Sequence, residues 1–313
     1  MSFVYDMIVI GGGPAGYTAA LYAVRAGMKC AVIEKMSIGG QLTLTDIVDN
    51  YPGFNEGIDG ITLGMQMQSG AERFGAESIF DEVCELELDG EIKKVTCTDA
   101  EYLARTVVIA TGASPRTLGV DGEASLTGRG VHYCAHCDGR FYKGKRVVVV
   151  GGGNSAVGDA LYLSRICEKV TLVHRRDTLR ASRIYAEPLS KAENIELLYN
   201  STPHGFAKGE NNRLSAVRLK STTDGAERML ECDGVFVSVG RVPATELVRG
   251  KLELDEHGYI IADESTRTKI DGVYAAGDVR QKALRQIVTA VSDGAVAAHF
   301  AEEYLSQLSQ REK

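Results

Sequence analysis

A segment that occurs twice in this chain constrains the fold more than any other feature. Residues 7–34 and 147–174 align without a gap at an offset of 140 positions. Between 11–34 and 151–174, eight of 24 positions are identical, including a run of three glycines. Each copy has the pattern of an apolar strand, a glycine turn, a helix with a small-residue face and a second apolar strand. The repeat therefore predicts two similar nucleotide-binding domains.

The first copy contains a complete G-x-G-x-x-G pattern. Gly11 permits the tight turn, Gly13 lets the backbone approach a pyrophosphate, and Gly16 lets the helix pack closely on the strand. The helix N-terminus then presents unpaired N–H groups to the phosphates. Glu34 ends the second strand, where a carboxylate accepts hydrogen bonds from a ribose 2′-hydroxyl, and this favours FAD. The alternative is a structural glycine turn with a surface glutamate.

The second copy keeps two of the glycines and has the permitted alanine at the third position. These residues are Gly151, Gly153 and Ala156. The position that matches Glu34 is His174, and Arg175 and Arg176 follow it. Arginines bind a 2′-phosphate through charge-assisted hydrogen bonds, with Arg180 as a third contact, so this copy is predicted to bind NADPH. The alternative is a solvated basic turn.

The remaining segments predict how the domains are connected. Residues 106–112 and 234–243 are expected to be the last strands of their domains. A short strand at 273–278 and a helix from 285 would complete the first domain. The predicted fold is α/β, with two Rossmann-like, three-layer domains and the second inserted into the first. The expected divisions are an FAD-binding part at 1–113, an NADPH-binding domain with the cysteine pair at 114–242, and a second FAD-binding part at 243–313.

Composition excludes several classes of protein. The net charge is −7 and no long basic run is present, which argues against nucleic acid or an anionic membrane as a partner. Apolar runs such as 147–150 are far shorter than a membrane span. Because the glycine turn comes as early as residue 11, we expect no signal peptide. The seven cysteines are odd in number with one close pair, unlike a secreted framework, so we expect a cytoplasmic protein.

The close pair is Cys134 and Cys137, in the stretch HYCAHCDG. Structural zinc normally takes two such pairs, and here His132 and His136 would have to supply ligands within six residues. Covalent haem requires histidine directly after the second cysteine, where this chain has Asp138. A buried structural pair is a further alternative. A redox dithiol is favoured because the pair lies between two predicted dinucleotide sites.

Two neighbours of the pair are candidates for its chemistry. A cationic His136 would favour a thiolate, and the alternative is an exposed spacer. Asp138 would relay a proton to a leaving thiolate, and the alternative is the turn residue of an Asp-Gly pair. Two different dinucleotides on one chain indicate electron transfer between them and then to a disulfide.

With these motifs in this order, the chain resembles the bacterial-type, low-molecular-weight thioredoxin reductases, class II of the pyridine nucleotide-disulfide oxidoreductases. The likeness covers nearly the whole chain. The motifs are GGGPAG (11–16), GGQL (39–42), DNYPG (49–53), ATGA (110–113), CAHCDG (134–139), GGGNSA (151–156), HRRDTLRA (174–181), AAGD (275–278) and RQIVTA (285–290).

The resemblance implies a homodimeric enzyme that reduces thioredoxin. Electrons would pass from NADPH to FAD, then to the Cys134–Cys137 disulfide and on to thioredoxin. Cys137 would face the flavin, Cys134 would attack the partner's disulfide, and Asp138 would donate a proton. The NADPH domain would rotate about hinges near 113–116 and 241–245.

The resemblance also implies the cofactor contacts. For FAD these are Glu34, Gly40, Gln41, Asn50, Asp278 and Gln286, to which the matching motifs add Pro14, Ala15, Thr111, Gly112, Ala113, Arg285 and Ile287; for NADPH the motifs add Asn154 and Ser155. No metal is expected.

The chain departs from the family pattern at two places. His136 stands where threonine is common, and Gly158 and Asp159 stand where the family commonly has two acids. The alternative function is a related flavoprotein disulfide reductase, or an NADPH oxidase, that serves another thioredoxin-like or peroxiredoxin partner.

Overall fold

The computed structural model describes residues 3–36, 38–45 and 47–311. The strands are β1 (Val4–Ile10), β2 (Cys30–Glu34), β3 (Ile47–Val48), β4 (Ile58–Asp59), β5 (Glu77–Phe80), β6 (Val83–Glu87), β7 (Lys93–Cys97), β8 (Glu101–Ile109), β9 (Ala113–Pro115), β10 (Val131–His132), β11 (Arg146–Val150), β12 (Lys169–Val173), β13 (Ile195–Leu198), β14 (Ser201–Lys208), β15 (Leu214–Ser221), β16 (Glu227–Glu231), β17 (Gly234–Val237), β18 (Arg241–Pro243) and β19 (Val273–Ala275). The α-helices are α1 (Pro14–Arg25), α2 (Gly60–Glu72), α3 (Glu123–Leu126), α4 (Ala135–Asp138), α5 (Asn154–Ser164), α6 (Arg183–Ser190) and α7 (Ile287–Arg311). Short 3-10 helices cover Gly40–Leu44, Gly139–Tyr142, Glu210–Asn212, Glu246–Val248 and Gly277–Val279.

The chain divides into two compact units. Met1–Ser114 and Val242–Lys313 form the first unit, and Pro115–Arg241 forms the second. The second unit is thus inserted into the first, as expected for this α/β fold class. The chain passes between the units within β9 and β18, which pair with each other.

The first unit is built on a seven-stranded sheet with the order β5-β2-β1-β8-β7-β6, in which β19 also pairs with β8. The strands β5, β2, β1, β8 and β19 are parallel. Residues of β1 are buried on both faces of the sheet, with Met7 and Val9 in one core and Ile8 and Ile10 in the other. Burial on both faces explains why residues 7–10 of this strand are a continuous apolar run without alternation.

The second unit repeats this plan on a smaller scale. Its parallel sheet has the order β10-β17-β11-β12-β13, and a three-stranded antiparallel sheet is formed by β14, β15 and β16. Val147 and Val149 pack in the core that contains α5, whereas Val148 and Val150 pack with residues of the antiparallel sheet such as Val217. The two copies of the sequence repeat therefore form the β-α-β units β1-α1-β2 and β11-α5-β12.

The predicted elements differ from the observed ones mainly at their ends. The strand expected at 106–112 ends at Ile109, and the strand expected at 234–243 ends at Val237. The residues beyond these strands belong to the glycine turns and to the short pair β9 and β18, because the last residues of each motif leave the sheet. Within the described residues, no helix combines the length and the apolar character needed to cross a membrane.

A buried ion network connects α7 to the loop after β19. Asp293 receives two hydrogen bonds of 2.8 Å from the Arg280 guanidinium, one of 2.8 Å from Lys282 Nζ and one of 2.9 Å from the backbone N–H of Gly277. Arg280 is only 2% exposed. Burial by itself would raise the pKa of Asp293, but the bonds and charges of Arg280 and Lys282 outweigh it and hold that pKa below its ordinary value.

We predict that Asp293→Asn destabilises the protein by about 3–5 kcal/mol, because it leaves Arg280 and Lys282 buried without a counter-charge. The melting temperature measured by circular dichroism should fall by several degrees. The wild-type contribution is present at neutral pH and is lost as the pH falls through the lowered pKa, so the variant should show less acid-dependent loss.

Glu303→Gln is the matched control. Glu303 pairs with Arg267 at 2.9 Å, but both side chains are about half exposed. An exposed pair contributes only about 0–1 kcal/mol, so this variant should melt close to the wild type. Equal melting temperatures for both variants and the wild type would contradict the importance of the buried network.

Candidate functional site

The turn from β1 into α1 contains the first glycine motif, and its backbone is too close-packed for most side chains. Gly11 has φ +108°, and a Cβ there would lie 2.5 Å from the Ala110 carbonyl oxygen. A Cβ on Gly16 would lie 1.9 Å from the Gly11 carbonyl oxygen. Gly13 is extended, with φ −84°, and a Cβ on it would meet no protein atom within 4 Å. Protein packing thus requires the first and third glycines, while the space beside Gly13 is open to a ligand.

The second motif divides its roles in the same way. A Cβ on Gly151 would lie 2.4 Å from the Ser238 carbonyl oxygen and 2.6 Å from the Cβ of Ala156. Gly153 has φ −97°, and a Cβ there would meet nothing within 4 Å. Again the middle position of the motif is the one at which protein packing does not require glycine.

Both glycine turns lead directly into helices. Gly13 and Gly153 are the N-cap residues of α1 and α5, and no side chain among the described residues caps either helix. Such a helix start binds phosphate through free N–H groups and the positive end of the helix dipole. The residues present therefore fit one dinucleotide pyrophosphate at each turn.

The end of β2 and the segment that follows it contact the first glycine turn. The Glu34 carboxylate accepts hydrogen bonds from the backbone N–H groups of Gly12, at 2.7 Å, and Met36, at 2.9 Å. Gly39 N donates to the Gly12 carbonyl oxygen at 2.8 Å. A Cβ on Gly40 would lie 3.6 Å from Gly13 Cα. Two of the residues predicted to contact FAD, Glu34 and Gly40, therefore lie beside the open position at Gly13.

Segments far apart in sequence also meet within the first unit. Asn50 Nδ2 donates to Gln286 Oε1 at 3.0 Å, across 236 positions. Gly277, which precedes Asp278, approaches the start of α1 so closely that a Cβ on it would lie 2.9 Å from Ala15 Cβ.

The other predicted FAD residues lie in the same unit. Pro14 is the first residue of α1, Ile287 begins α7, and Gln41 is exposed in the 3-10 helix Gly40–Leu44. Ala244 binds two of the predicted residues: its carbonyl oxygen accepts from Thr111 Oγ1 at 2.6 Å, and its N–H donates to Gly112 O at 3.0 Å. Ala113 is buried in β9, and the Arg285 guanidinium lies 3.8 Å from the Tyr259 ring centroid.

The His174 side chain packs against the second glycine turn. Its ring is 5% exposed and lies so close to Gly152 that a Cβ there would be 2.2 Å from ring atoms. Burial and the neighbouring arginines lower the pKa of His174, which keeps the ring neutral at neutral pH. Its Nε2 is buried without a hydrogen-bond partner among the described residues. The side chain predicted to bind the nucleotide is thus mainly packed against the turn.

Three exposed arginines follow His174 in the loop before α6. Arg175, Arg176 and Arg180 are all exposed, and Arg180 N donates to the Gly152 carbonyl oxygen at 2.7 Å. This bond ties the basic loop to the glycine turn. Asn154 Oδ1 accepts from Ser182 N at 2.8 Å, and Ser155 is exposed on the first turn of α5. The arrangement can hold a doubly charged phosphate beside the second turn.

Cys134 and Cys137 form a disulfide at the start of α4. Their Cα atoms are 5.3 Å apart and both residues are partly buried. Cys134 is the N-cap of the helix, and its Sγ accepts a hydrogen bond of 3.2 Å from Cys137 N. An N–H directed at this sulfur stabilises a thiolate there after the disulfide opens. Within the described residues no group of three or more His, Cys, Asp or Glu is placed to hold a metal ion.

Asp138 does not occupy a glycine turn. Gly139 has φ −58°, and it continues α4 into the 3-10 helix Gly139–Tyr142. A Cβ on Gly139 would lie 2.9 Å from Leu163 and 3.1 Å from Tyr162, so close packing on α5 accounts for the glycine. Asp138 Oδ2 lies 3.2 Å from His132 Nδ1, and His132 Nε2 lies 2.7 Å from the Tyr142 hydroxyl.

The two departures from the family pattern lie near each other. His136 is exposed, and its ring centroid is 4.2 Å from that of Tyr162 on α5. Asp159 is partly buried on the same helix and accepts a hydrogen bond from Ser238 Oγ. Burial raises the pKa of Asp159, and the Ser238 bond and the charge of His136 oppose that rise. Gly158 leaves room for the Tyr185 ring, which a Cβ would meet at 3.4 Å.

Sequence reasoning missed the polar partners of Asp138. It considered His132 only as a zinc ligand and gave Tyr142 no role. The usable signal was a histidine at the end of a two-residue strand, two positions before the cysteine pair, in an otherwise apolar setting. The hydrogen bond from the His132 ring to Tyr142 depends on the 3-10 helix Gly139–Tyr142, and no local sequence pattern predicts that helix.

Comparison with known proteins places the chain in a family. The sequence profile described as pyridine nucleotide-disulphide oxidoreductase matches residues 5–294. The thioredoxin reductase of Listeria innocua is 48% identical over 308 residues, covering 98% of this chain and 96% of that protein. The thioredoxin reductase of Bacillus subtilis is 45% identical over 308 residues, with coverage of 98% and 96%.

Solved structures give the same result. The crystal structure of thioredoxin reductase from Streptococcus pyogenes superposes with a TM-score of 0.92 at 43% identity, covering 98% of this chain and 100% of that one. The family implies use of a flavin and a pyridine nucleotide, which fits the two glycine turns described above. The chain therefore belongs to the pyridine nucleotide-disulphide oxidoreductases, among the bacterial-type thioredoxin reductases.

Proposed function

We propose that this chain is an NADPH-dependent thioredoxin-disulfide reductase with FAD bound to the first unit and NADPH to the second. The observation that carries the proposal is a disulfide at Cys134–Cys137, on the same chain as two glycine turns that are open at their middle positions. The relatives that match over nearly the whole chain are named thioredoxin reductases. We further propose that the enzyme is a homodimer of the cytoplasm.

A flavin bound to the first unit would supply the two electrons that open the disulfide, and NADPH bound to the second would supply the hydride that replaces them. The chain's own residues hold the sulfurs and move the protons. Cys137 N stabilises negative charge on Cys134 Sγ, which suits Cys134 as the nucleophile that attacks thioredoxin's disulfide. Cys137 then attacks Cys134 Sγ to re-form the internal disulfide. Asp138, the next residue, is the proposed proton donor to the leaving thiolate.

The proposed cofactor contacts follow the geometry of each turn. Gly13 with the start of α1 would hold the FAD pyrophosphate, and Glu34 would accept hydrogen bonds from its ribose. Gly153 with the start of α5 would hold the NADPH pyrophosphate. Arg175, Arg176 and Arg180 would bind the 2′-phosphate, because an exposed guanidinium pairs with phosphate through two parallel hydrogen bonds.

Replacing the nucleophile should uncouple thioredoxin from NADPH consumption. In Cys134→Ser, the thioredoxin-dependent consumption of NADPH, followed anaerobically at 340 nm as an absorbance loss, should disappear. Flavin bleaching by NADPH should persist, because the cofactor sites are intact. Cys84→Ser is the control, since Cys84 is exposed and free, and it should retain full turnover. Thioredoxin-dependent consumption in Cys134→Ser would contradict the proposed electron path.

Truncating two arginines of the basic loop should weaken the preference of the enzyme for NADPH over NADH. The double variant R175A/R176A should raise the KM for NADPH at least about tenfold, because charge-assisted hydrogen bonds to the 2′-phosphate are lost. The KM for NADH should change little. Arg165→Ala removes an exposed arginine just past the other end of α5 and should leave both constants unchanged. An equal rise for NADH and NADPH in the double variant would refute the assignment of the loop.

A further inference from the structure

His132 lies at the end of β10, and both of its ring nitrogens have side-chain partners. Nδ1 is 3.2 Å from Asp138 Oδ2, and Nε2 is 2.7 Å from the Tyr142 hydroxyl. The residue is 8% exposed. A buried histidine is often only a satisfied core residue. Here, however, one partner is the carboxyl group that directly follows the redox cysteine Cys137.

Packing fixes the plane of the His132 ring. The Phe236 ring stacks on it with centroids 5.4 Å apart and planes at 27°. The Tyr142 ring meets it nearly edge-on, with centroids 5.3 Å apart and planes at 70°. The hydrogen bonds at both nitrogens are therefore set by the fold, and the ring has no room to turn away from Asp138.

The charges around the ring decide which group donates at each bond. Burial raises the pKa of Tyr142 to about 12, so its hydroxyl keeps its proton at neutral pH. A neutral imidazole then accepts from Tyr142 at Nε2 and donates from Nδ1–H to Asp138. With a second proton, the ring donates at both ends.

The hydrogen-bonded series from Asp138 through His132 to Tyr142 approaches the protein surface beyond Tyr142. The Arg213 side chain hydrogen-bonds the Tyr142 hydroxyl, and the charge of Asp233 also acts on it. Arg213 and Asp233 are both exposed. Lys145 Nζ lies 5.5 Å from the Tyr142 ring centroid. The charged or titratable groups around His132 and its tyrosine partner thus include Asp138, Arg213, Asp233 and Lys145.

We propose that His132 is a positioning residue that orients Asp138 and replaces its proton after each transfer, so that protons for the disulfide chemistry arrive through Tyr142 and His132. The proposal rests on the proposed function, with Asp138 as the acid. It concerns only how that acid is held and reloaded.

Proton transfer accompanies the attack on the substrate disulfide. The Cys134 thiolate attacks one substrate sulfur, so a new S–S bond forms, the substrate S–S bond breaks and the other sulfur leaves as a thiolate. Asp138 gives its proton to that thiolate, which becomes a thiol. The Asp138 carboxylate takes the Nδ1 proton of His132, and the ring regains a proton at Nε2 from Tyr142, whose hydroxyl is renewed from water on the Arg213 side. Between turnovers, proton exchange with water at both ends returns the ring to the Nδ1–H form.

The test uses His132→Phe, His132→Asn and Tyr142→Phe in the flavin-loaded enzyme with thioredoxin as substrate. Phenylalanine keeps the stacked ring without its hydrogen bonds, and asparagine keeps a donor for Asp138 but cannot pass a proton on. In both His132 variants kcat should fall at least about tenfold, with KM for thioredoxin within about twofold. The pH profile of kcat should also differ from that of the wild type. Tyr142→Phe should lower kcat by less and raise the solvent isotope effect.

His204→Asn is the matched control, because His204 also faces a carboxylate, Glu227 at 3.5 Å, but is part-exposed on β14. It should keep the wild-type kcat and pH profile. The proposal is overturned if the His132 variants keep the wild-type kcat and pH profile, or if their loss is confined to melting temperature and flavin content. Cys134→Ser separates the proton route from the proposed function. If Cys134→Ser still reduces thioredoxin, the proposed function itself is refuted. If Cys134→Ser is inactive but the His132 variants behave like the wild type, only the proton route is refuted.

Discussion

The close contact between a helix start and the turn before it is the constraint on which both glycine turns depend. At Gly16 the α1 backbone comes so near the Gly11 carbonyl that even one methyl group is excluded, and a Cβ on Gly151 would lie only 2.6 Å from Ala156 Cβ on α5. This contact forces the chain to turn sharply at the edge of a parallel sheet. The same turn exposes the first N–H groups of the helix, so the packing that holds the fold together also produces an anion site.

Local patterns predicted what short-range physics determines. The glycine spacing gave both β-α-β units, because the turn, the open middle position and the tight helix contact are each set within a few residues. Strand ends were harder, since Ile109 and Val237 stop pairing where a loop leaves the sheet. The bond between Asn50 and Gln286 links residues 236 positions apart, so the family motifs named both residues but no local pattern placed them together.

The redox pair gains its chemical setting from neighbours on three different elements. The helix α4 places an N–H on Cys134 Sγ, the strand β10 brings His132 to Asp138, and the 3-10 helix supplies Tyr142. Burying His132 and Tyr142 costs the fold little, because both ring nitrogens of His132 and the Tyr142 hydroxyl have polar partners. The result is a disulfide with an N–H directed at Cys134 Sγ and a neighbouring carboxyl group, Asp138, held by a buried ring.

Differential cysteine labelling, read by mass spectrometry, tests most directly whether the disulfide carries the electrons. The flavin-loaded enzyme would be alkylated under nitrogen before and after one equivalent of NADPH, and again after oxidised thioredoxin is added. Labelling should appear at Cys134 and Cys137 with NADPH and vanish with thioredoxin, while exposed Cys84 is labelled throughout and buried Cys30 remains protected. If NADPH leaves Cys134 and Cys137 unlabelled although the flavin is reduced, the electrons bypass the disulfide and the proposed path is wrong.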